Sequence, residues 1–260
     1  MDFGMPFLLE NKTIEECAAL CQRLRLSFVE LNANFPACQS LEAKRLRGIS
    51  ERYGIYFTLH IEEECDPFTF NRQVRAAWLE TVRGAIRLAK ETSMPIVNMH
   101  LSKGVYITLP DQRVFLYRKY AGEYEAAVRT FRQTVEEAIG DSGVRLCLEN
   151  TNGFAPHELD ALETLLESPV FGLTLDIGHS HGVGDMDITF YEKHADRLMH
   201  MHGHDALGEK NHLALGDGEI DLKGRFAWAR RSGARVVLET KTIAALETSV
   251  SRLPDYLAET

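Results

Sequence analysis

The sequence predicts an α/β fold, a single (β/α)₈ barrel of eight parallel strands that occupies residues 1–260. The chain has 260 residues, a length at which α/β barrels commonly form one domain. Eight short apolar segments alternate with longer amphipathic ones, which is the pattern of parallel strands joined by helices. No proline- or glycine-rich linker divides the chain, so we expect one domain.

The predicted strands are short, and the inner ones are apolar almost throughout, as expected of strands covered on both faces. In chain order they are FLLE from residue 7, FVELN from 28, GIYFTLHI from 54, PIVNMHL from 95, VRLCLEN from 144, FGLTLDI from 171, RLMHMH from 197 and RVVLET from 235.

The segments between the strands have apolar residues at three- and four-residue spacing, which predicts amphipathic helices. They cover residues 13–25, 70–91, 123–140, 158–168 and 242–259. The first opens on Thr13 with Glu16 three positions later, a capping-box pattern. The third ends on Gly140, a common helix stop.

A doubly wound open sheet is the alternative fold, but its first turn is usually glycine-rich, and LLENKT here has no G-x-G-x-x-G. A long segment over residues 101–124 follows the fourth strand and carries several aromatic and charged residues. We interpret it as a lid or binding loop, with a small β-ribbon as the alternative.

Composition restricts the class of partner. The formal net charge is −9, which argues against a general nucleic-acid binder, because such proteins carry excess Lys and Arg. No segment approaches the length and apolarity of a membrane span.

The five cysteines include no C-x-x-C pair, so we expect buried thiols in a reducing compartment and a cytoplasmic protein. The outer helices permit a homodimer.

Ionisable residues end six of the eight predicted strands. In a parallel barrel these ends meet at one face, where the active site forms. Several carboxylates in so small a volume repel one another, and a divalent cation relieves that repulsion. The six residues are His60, His100, Glu149, Asp176, His202 and Glu239.

We predict a metal site made by Glu149, Asp176, His202 and Glu239. Three oxygen ligands and one nitrogen suit Zn²⁺ or Mn²⁺, with Mg²⁺ or Co²⁺ as alternatives. A second metal ion, where bound, would use His60 and His100 together with Glu149. Buried, hydrogen-bonded core histidines are the alternative interpretation of those two residues.

The strand that ends in RLMHMH presents two histidines to the same face, because His200 and His202 are two positions apart. His202 is nearer the mouth of the barrel, so we assign the metal to it. His204 and Asp205 follow in the loop, where we expect them to support the ligands.

Four segments resemble the xylose isomerase-like barrel superfamily. They are LENT at 148, LTLDIGHS at 173, HMHGHD at 200 with NHLALGDGEIDL at 211, and VVLETK at 236. This superfamily includes sugar isomerases and epimerases, inosose dehydratases and type IV apurinic endonucleases. The resemblance covers nearly the whole chain and is specific for the superfamily rather than for one member.

The resemblance implies an isomerase or epimerase of a sugar, keto-sugar or polyol, phosphorylated or not, that works through a metal-stabilised enediolate. Glu149 and Glu239 would be the acid–base pair as well as metal ligands. The side chains that would bind substrate oxygens are those of His179, His212, His60 and Lys241.

Two other reactions remain open: hydrolysis of phosphodiesters and dehydration of a polyol. A binding barrel without catalysis is a further alternative. In the endonuclease branch a third metal is bound partly by an aspartate two residues before the position of His212, and this chain has Lys210 there. A protonated lysine does not bind a metal, which argues against that branch.

Overall fold

The computed structural model describes residues 1–257, and their architecture is a closed barrel of parallel strands surrounded by helices. Around the barrel the strands follow the order β1 (Phe3–Pro6), β2 (Phe28–Asn32), β3 (Tyr56–His60), β4 (Ile96–His100), β7 (Arg145–Glu149), β8 (Phe171–Asp176), β9 (Leu198–Gly203) and β12 (Arg235–Leu238). β12 pairs with β1 and closes the ring. The predicted fold class is therefore confirmed.

Helices follow the barrel strands and cover their outer faces. They are α1 (Ile14–Arg23), α2 (Ala43–Tyr53), α3 (Arg72–Thr92), α4 (Leu116–Lys119), α5 (Ala121–Ile139), α6 (Pro156–Leu166), α7 (Ile177–Gly182), α8 (Ile188–Lys193), α9 (Leu222–Ser232) and α10 (Ile243–Leu257). Short 3₁₀ helices occupy Pro36–Cys38 and Ala195–Arg197.

The helix boundaries follow local chemistry. The Thr13 hydroxyl accepts the backbone N–H of Glu16 at the start of α1, as its capping pattern predicts. The Asn71 side chain accepts two backbone N–H groups at the start of α3. At the end of α2 the chain turns through Gly54, whose φ of 67° suits a residue without a side chain.

Two short antiparallel ribbons lie outside the barrel sheet, and both follow strands at the mouth of the barrel. One pairs β5 (Tyr106–Thr108) with β6 (Arg113–Phe115), and the other pairs β10 (Asp205–Leu207) with β11 (Lys210–Leu213). The segment over residues 101–124 therefore contains a β-ribbon, which was the alternative interpretation of its sequence.

The first strand differs from its prediction. It is Phe3–Pro6, and the apolar segment FLLE follows it as a turn. Gly4 interrupts the apolar pattern by which this strand would have been recognised, and glycine is needed there because any side chain would overlap the ring of Phe28 on the neighbouring strand. A strand position next to a large aromatic ring thus requires glycine.

Two further findings complete the fold. All five cysteines are free and buried, as predicted for thiols. Within residues 1–257 no helix has both the length and the apolar character that crossing a membrane requires. The predicted final helix is present as α10, and the end of its predicted range, residues 258 and 259, lies outside the described residues.

Candidate active site

A cavity of about 630 Å³ opens at the barrel mouth where the C-terminal ends of the strands meet. This volume is within the range that binds small molecules. The apolar part of its lining consists of Pro6, Phe7, Leu8, Leu9 and Phe35. The polar part includes Glu30, His60, His100, Glu149, His179, His212, Glu239 and Lys241.

Glu149 ends β7 and is 2% exposed. Its Oε1 is 2.9 Å from His202 Nδ1 and 3.5 Å from His100 Nε2, and its Oε2 is 3.3 Å from His60 Nε2. Burial alone would raise the pKa of this carboxyl, but His202 and His100 hold the pKa well below its usual value. Glu149 is therefore an anion in contact with three histidines.

Asp176 ends β8 and also caps the short helix α7. Its Oδ1 accepts the backbone N–H of His179 at 2.7 Å and faces His204 Nε2 at 3.0 Å. His204 Nδ1 accepts the backbone N–H of His212, so Nε2 carries the proton and donates to Asp176. Oδ2 is 3.2 Å from the same His204 nitrogen, which the two oxygens share, and 3.9 Å from His202 Nδ1.

His202 lies at the centre of the cluster and is 2% exposed. Its Nε2 is 2.7 Å from Glu30 Oε1 and donates to that carboxylate. Its Nδ1 is 2.9 Å from Glu149 and 3.2 Å from Glu239. Neither approach has the direction of a hydrogen bond, so Nδ1 is a buried polar atom without a partner. Burial lowers the pKa of His202, but Glu149 and Glu239 raise it well above its usual value.

Glu239 follows β12 and lies at the edge of the cavity. Lys241 Nζ donates to its Oε1 at 2.7 Å, whereas Oε2 is buried without a hydrogen-bond partner, 3.2 Å from His202 Nδ1. Burial would raise the pKa of this carboxyl, and His202 and Lys241 hold it well below the usual value. Glu239 therefore presents one free oxygen to the centre of the cluster.

His179 and His212 form the rim of the cavity on the α7 side. Their ring centroids are 5.6 Å apart, and His212 Nδ1 is 3.8 Å from Glu239 Oε2. His212 has a φ of 56°, an uncommon backbone conformation for a residue other than glycine. Burial lowers the pKa of His212 to about 4. At neutral pH His212 is therefore uncharged and has a ring nitrogen for hydrogen bonding.

The structure places His60 and His100 beside Glu149, and their ring centroids are 4.8 Å apart. His60 Nδ1 donates to the carbonyl of Ile61 at 2.6 Å, which leaves Nε2 to face Glu149. These three side chains form a second cluster with metal-ligand geometry, next to the cluster of Glu149, Asp176 and His202. Glu149 belongs to both.

Glu30 is a site residue that the sequence analysis did not single out. It contacts the Nε2 atoms of both His200 and His202, and it is 4% exposed. A signal existed in FVELN, because an ionisable residue in the middle of a strand covered on both faces needs a buried partner. The partners themselves lie on β9, far away in the sequence.

Buried amides support the carboxylate ligands from behind. Asn98 donates to Glu149 and accepts the hydroxyl of Thr174. Asn150, in the LENT segment, exchanges two hydrogen bonds with the backbone of Asp176, at 2.8 and 3.0 Å. These bonds fix the ends of β7 and β8 relative to each other. The predicted support by His204 also has a matching contact, its bond to Asp176.

The residues present fit a divalent cation. Glu149, Asp176 and His202 offer ligand atoms within 4.8 Å of one another, and Glu239 Oε2 adds a fourth donor beside His202. Two of the donors, His202 Nδ1 and Glu239 Oε2, are buried polar atoms without hydrogen bonds. Such atoms are costly unless a ligand satisfies them.

Comparison with curated proteins identifies two uncharacterized relatives from Methanocaldococcus jannaschii. One is 27% identical over 227 residues, which cover 82% of this chain and 74% of the relative. The other is 24% identical over 267 residues and covers 96% of both chains.

Several solved structures share the fold. A D-tagatose 3-epimerase-like protein has a TM-score of 0.80 at 24% identity and covers 99% of this chain and 97% of its own. An L-ribulose 3-epimerase has a TM-score of 0.76 at 17% identity, with coverage of 98% and 94%. The 3-keto-D-glucoside 4-epimerase of E. coli has a TM-score of 0.77 at 14% identity, with 98% of both chains covered.

The sequence profile of one family, described as the xylose isomerase-like TIM barrel, matches residues 18–259. The match spans the segments from which the resemblance was first inferred, and the closed barrel agrees with it. The chain therefore belongs to the xylose isomerase-like TIM barrel family.

Proposed function

We propose that the protein is a metal-dependent isomerase or epimerase of a sugar, keto-sugar or polyol. The observation that carries this proposal is the environment of His202 Nδ1. This atom is buried without a hydrogen bond, and the carboxylates of Glu149 and Glu239 lie 2.9 and 3.2 Å from it. Two carboxylates held around one point suit both cation binding and proton transfer.

The metal ligands in this proposal are Glu149, Asp176, His202 and Glu239. Zn²⁺ and Mn²⁺ suit the mixture of three oxygens and one nitrogen, with Mg²⁺ or Co²⁺ as alternatives. When bound, such a cation polarises carbonyl and hydroxyl oxygens and makes the adjacent C–H more acidic.

Glu149 and Glu239 would move the proton. One ionised carboxylate accepts the proton from the carbon next to the carbonyl, and the other, after taking up a proton from solvent, donates that proton to the opposite face, so that the configuration inverts. The pKa of each carboxyl is held well below its usual value by His202. Either carboxylate can therefore serve as the proton acceptor at neutral pH, and the one that donates must first take up a proton from solvent.

Substrate hydroxyls would be bound by His179, His212 and Lys241, with His60 deeper in the cavity, because buried hydroxyls need hydrogen-bond partners. All four residues line the cavity. The apolar part of the lining, with Phe7, suits the C–H face of a sugar.

The shared fold supports this choice of reaction class. The solved structures described above are named as a D-tagatose 3-epimerase-like protein, an L-ribulose 3-epimerase and a 3-keto-D-glucoside 4-epimerase. We therefore place keto-sugars first among the substrates to test.

The test is epimerisation of a panel of ketopentoses and ketohexoses by Mn²⁺-loaded protein in D₂O. We expect an epimer that carries deuterium at the inverted carbon. Glu239→Gln should lower the rate about 10²–10⁴-fold, because it removes an acid–base group. The matched control is Glu247→Gln, an exposed glutamate on α10 that pairs with Arg23, and its rate should equal that of the wild type.

Metal removal provides the second arm of the test. Chelation should abolish turnover, and added Mn²⁺ or Zn²⁺ should restore it. Normal turnover by folded Glu239→Gln, or full activity after verified metal removal, would contradict the mechanism.

Hydrolysis of a phosphodiester is the second candidate, and the cluster of His60, His100 and Glu149 favours it. Two metals that share a carboxylate are a common arrangement in hydrolases. Metal analysis of purified protein separates the candidates. One equivalent supports the isomerase, and two equivalents together with cleavage of a model diester would support the hydrolase.

A further inference from the structure

Glu30 is a buried carboxylate with three hydrogen-bond donors and no role in the reaction proposed above. Its Oε1 is 2.7 Å from His202 Nε2, and its Oε2 is 2.8 Å from His200 Nε2. The hydroxyl of Thr58 donates to Oε2 at 3.0 Å. All of these contacts lie inside the barrel.

The contact with Glu30 decides which nitrogen of His202 carries a proton. A carboxylate only accepts hydrogen bonds, so Nε2 must be the protonated nitrogen. In the neutral ring that metal binding requires, the lone pair is then on Nδ1, which faces Glu149 and Glu239. Glu30 thus sets both the tautomer and the orientation of the ring.

We propose that Glu30 is a positioning residue that holds His202 with its Nδ1 lone pair directed at the metal site. This inference rests on the metal site of the proposed function. A carboxylate behind a metal-binding histidine fixes the ring and makes it a stronger ligand, and loss of such a partner typically weakens metal binding 10–100-fold. Glu30 acts through His202 and does not itself move a proton of the substrate.

Glu30→Gln is the sharpest substitution, because it keeps the size of the side chain. The amide has one accepting oxygen and one donating nitrogen, whereas the site contains two histidine N–H donors and a hydroxyl. The negative charge beside His202 is lost whichever way the amide turns. Where the amide nitrogen faces His202, the proton must also move to Nδ1 and block the metal site.

The first experiment is calorimetric titration with Mn²⁺. We expect Glu30→Gln to weaken binding 10–100-fold relative to the wild type. The matched control is His200→Gln, which removes the other histidine on Glu30 and leaves the contact with His202 in place. Its affinity should stay within about threefold of the wild type, a difference of less than 1 kcal/mol.

The second experiment needs no variant and therefore does not depend on the folding of Glu30→Gln. Long-range ¹H–¹⁵N NMR spectra of the Zn²⁺-loaded wild type should show His202 protonated at Nε2 and bound to metal at Nδ1. Metal at Nε2, or wild-type affinity in folded Glu30→Gln, would overturn the inference. A wild type that binds no divalent metal would instead contradict the proposed function.

Discussion

The two carboxylate oxygens of Asp176 have different hydrogen-bond partners. Oδ1 accepts a hydrogen bond from the backbone of His179 and another from the His204 ring. Oδ2 accepts no backbone N–H; it shares the N–H of the His204 ring at 3.2 Å and lies 3.9 Å from His202 Nδ1. The backbone bond to Oδ1 fixes the orientation of the carboxylate, and Oδ2, which has only a share of the His204 N–H, is the oxygen that a ligand can reach at the smaller cost in hydrogen bonding.

Gly178 is the residue that permits this arrangement. A Cβ at position 178 would overlap the imidazole ring of His204. We therefore predict that Gly178→Ala displaces His204, removes its bond to Asp176 and weakens Mn²⁺ binding about 10-fold or more. Calorimetric titration measures the change.

Gly182 supplies the control for that substitution. It ends the same short helix, and a Cβ there would meet no atom within 4 Å. Gly182→Ala should therefore bind Mn²⁺ like the wild type. Equal affinities for both alanine variants would show that the contact of His204 with Asp176 is irrelevant to the metal.

The candidate ligands were predictable from the sequence, but Glu30 was not. Glu149 and Asp176 each end a long apolar segment, so their position at the mouth follows from strand direction alone. The partners of Glu30 are 170 and 172 residues away in the chain, and they approach only when the ring closes. The burial of His157, whose ring contacts the carbonyl of Lys103, likewise depends on a residue far away in the sequence.

At the scale of elements, the start of α6 depends on a buried glutamate. The Glu158 carboxylate accepts the backbone N–H of Ala155 at 2.7 Å and is 1% exposed. Burial raises the pKa of this carboxyl to about 7, although the Ala155 N–H opposes the shift. The folded protein therefore binds a proton here at pH values where the unfolded chain has lost it.

This shift predicts how stability changes with pH. Because the folded pKa of Glu158 is the higher one, the contribution of this residue to the free energy of unfolding should fall as pH rises from about 4.5 to about 7. A shift of about 2.5 pKa units corresponds to about 3 kcal/mol. Glu158→Gln keeps an oxygen for the Ala155 N–H and cannot ionise, so it should be the more stable protein at pH 8.

Urea unfolding at two pH values measures this difference. At pH 8 the variant should exceed the wild type by about 2–3 kcal/mol, and at pH 4.5 the two should agree within about 0.5 kcal/mol. The measurement at low pH is the internal control. A difference between the two proteins that does not change with pH would refute the assignment.

Helices and strands differed in how well the sequence predicted their limits. The capping pattern of Thr13 located the start of α1 because it depends only on neighbouring residues. β1 was misplaced because its position depends on the ring of Phe28 beside Gly4, a contact between strands. The apolar segment that was taken for this strand lines the cavity instead.

At the scale of the whole molecule, the cluster concentrates negative charge that a bound cation would neutralise. Glu30, Glu149, Asp176 and Glu239 lie near one another inside a protein of net charge −9. Metal binding to the folded state alone should therefore raise the melting temperature.

We predict that Mn²⁺ at 100 times its Kd stabilises the protein by about 2.7 kcal/mol. In a chain of this size that is a rise of roughly 5–10 °C, measured by calorimetry and reversed by a chelator. Asp176→Asn removes a charged ligand and should show a much smaller rise. An equal rise in that variant would mean that the metal binds elsewhere.

The overall architecture was the most predictable level, because alternation of apolar strands with amphipathic helices is written along the whole chain. The second cluster was also anticipated, since His60 and His100 end adjacent strands. Which ring nitrogen of each histidine carries the proton could not be predicted, because it depends on contacts such as that of His60 Nδ1 with the carbonyl of Ile61.

Closure of the ring by β1 and β12 has a consequence for synthesis of the protein on the ribosome. The last barrel strand ends at Leu238, and Glu239 follows it directly. Residues of the cluster extend from Glu30 to Glu239, so a nascent chain lacks a complete cluster until residue 239 has been translated. Assembly of the candidate site therefore follows the synthesis of all eight barrel strands.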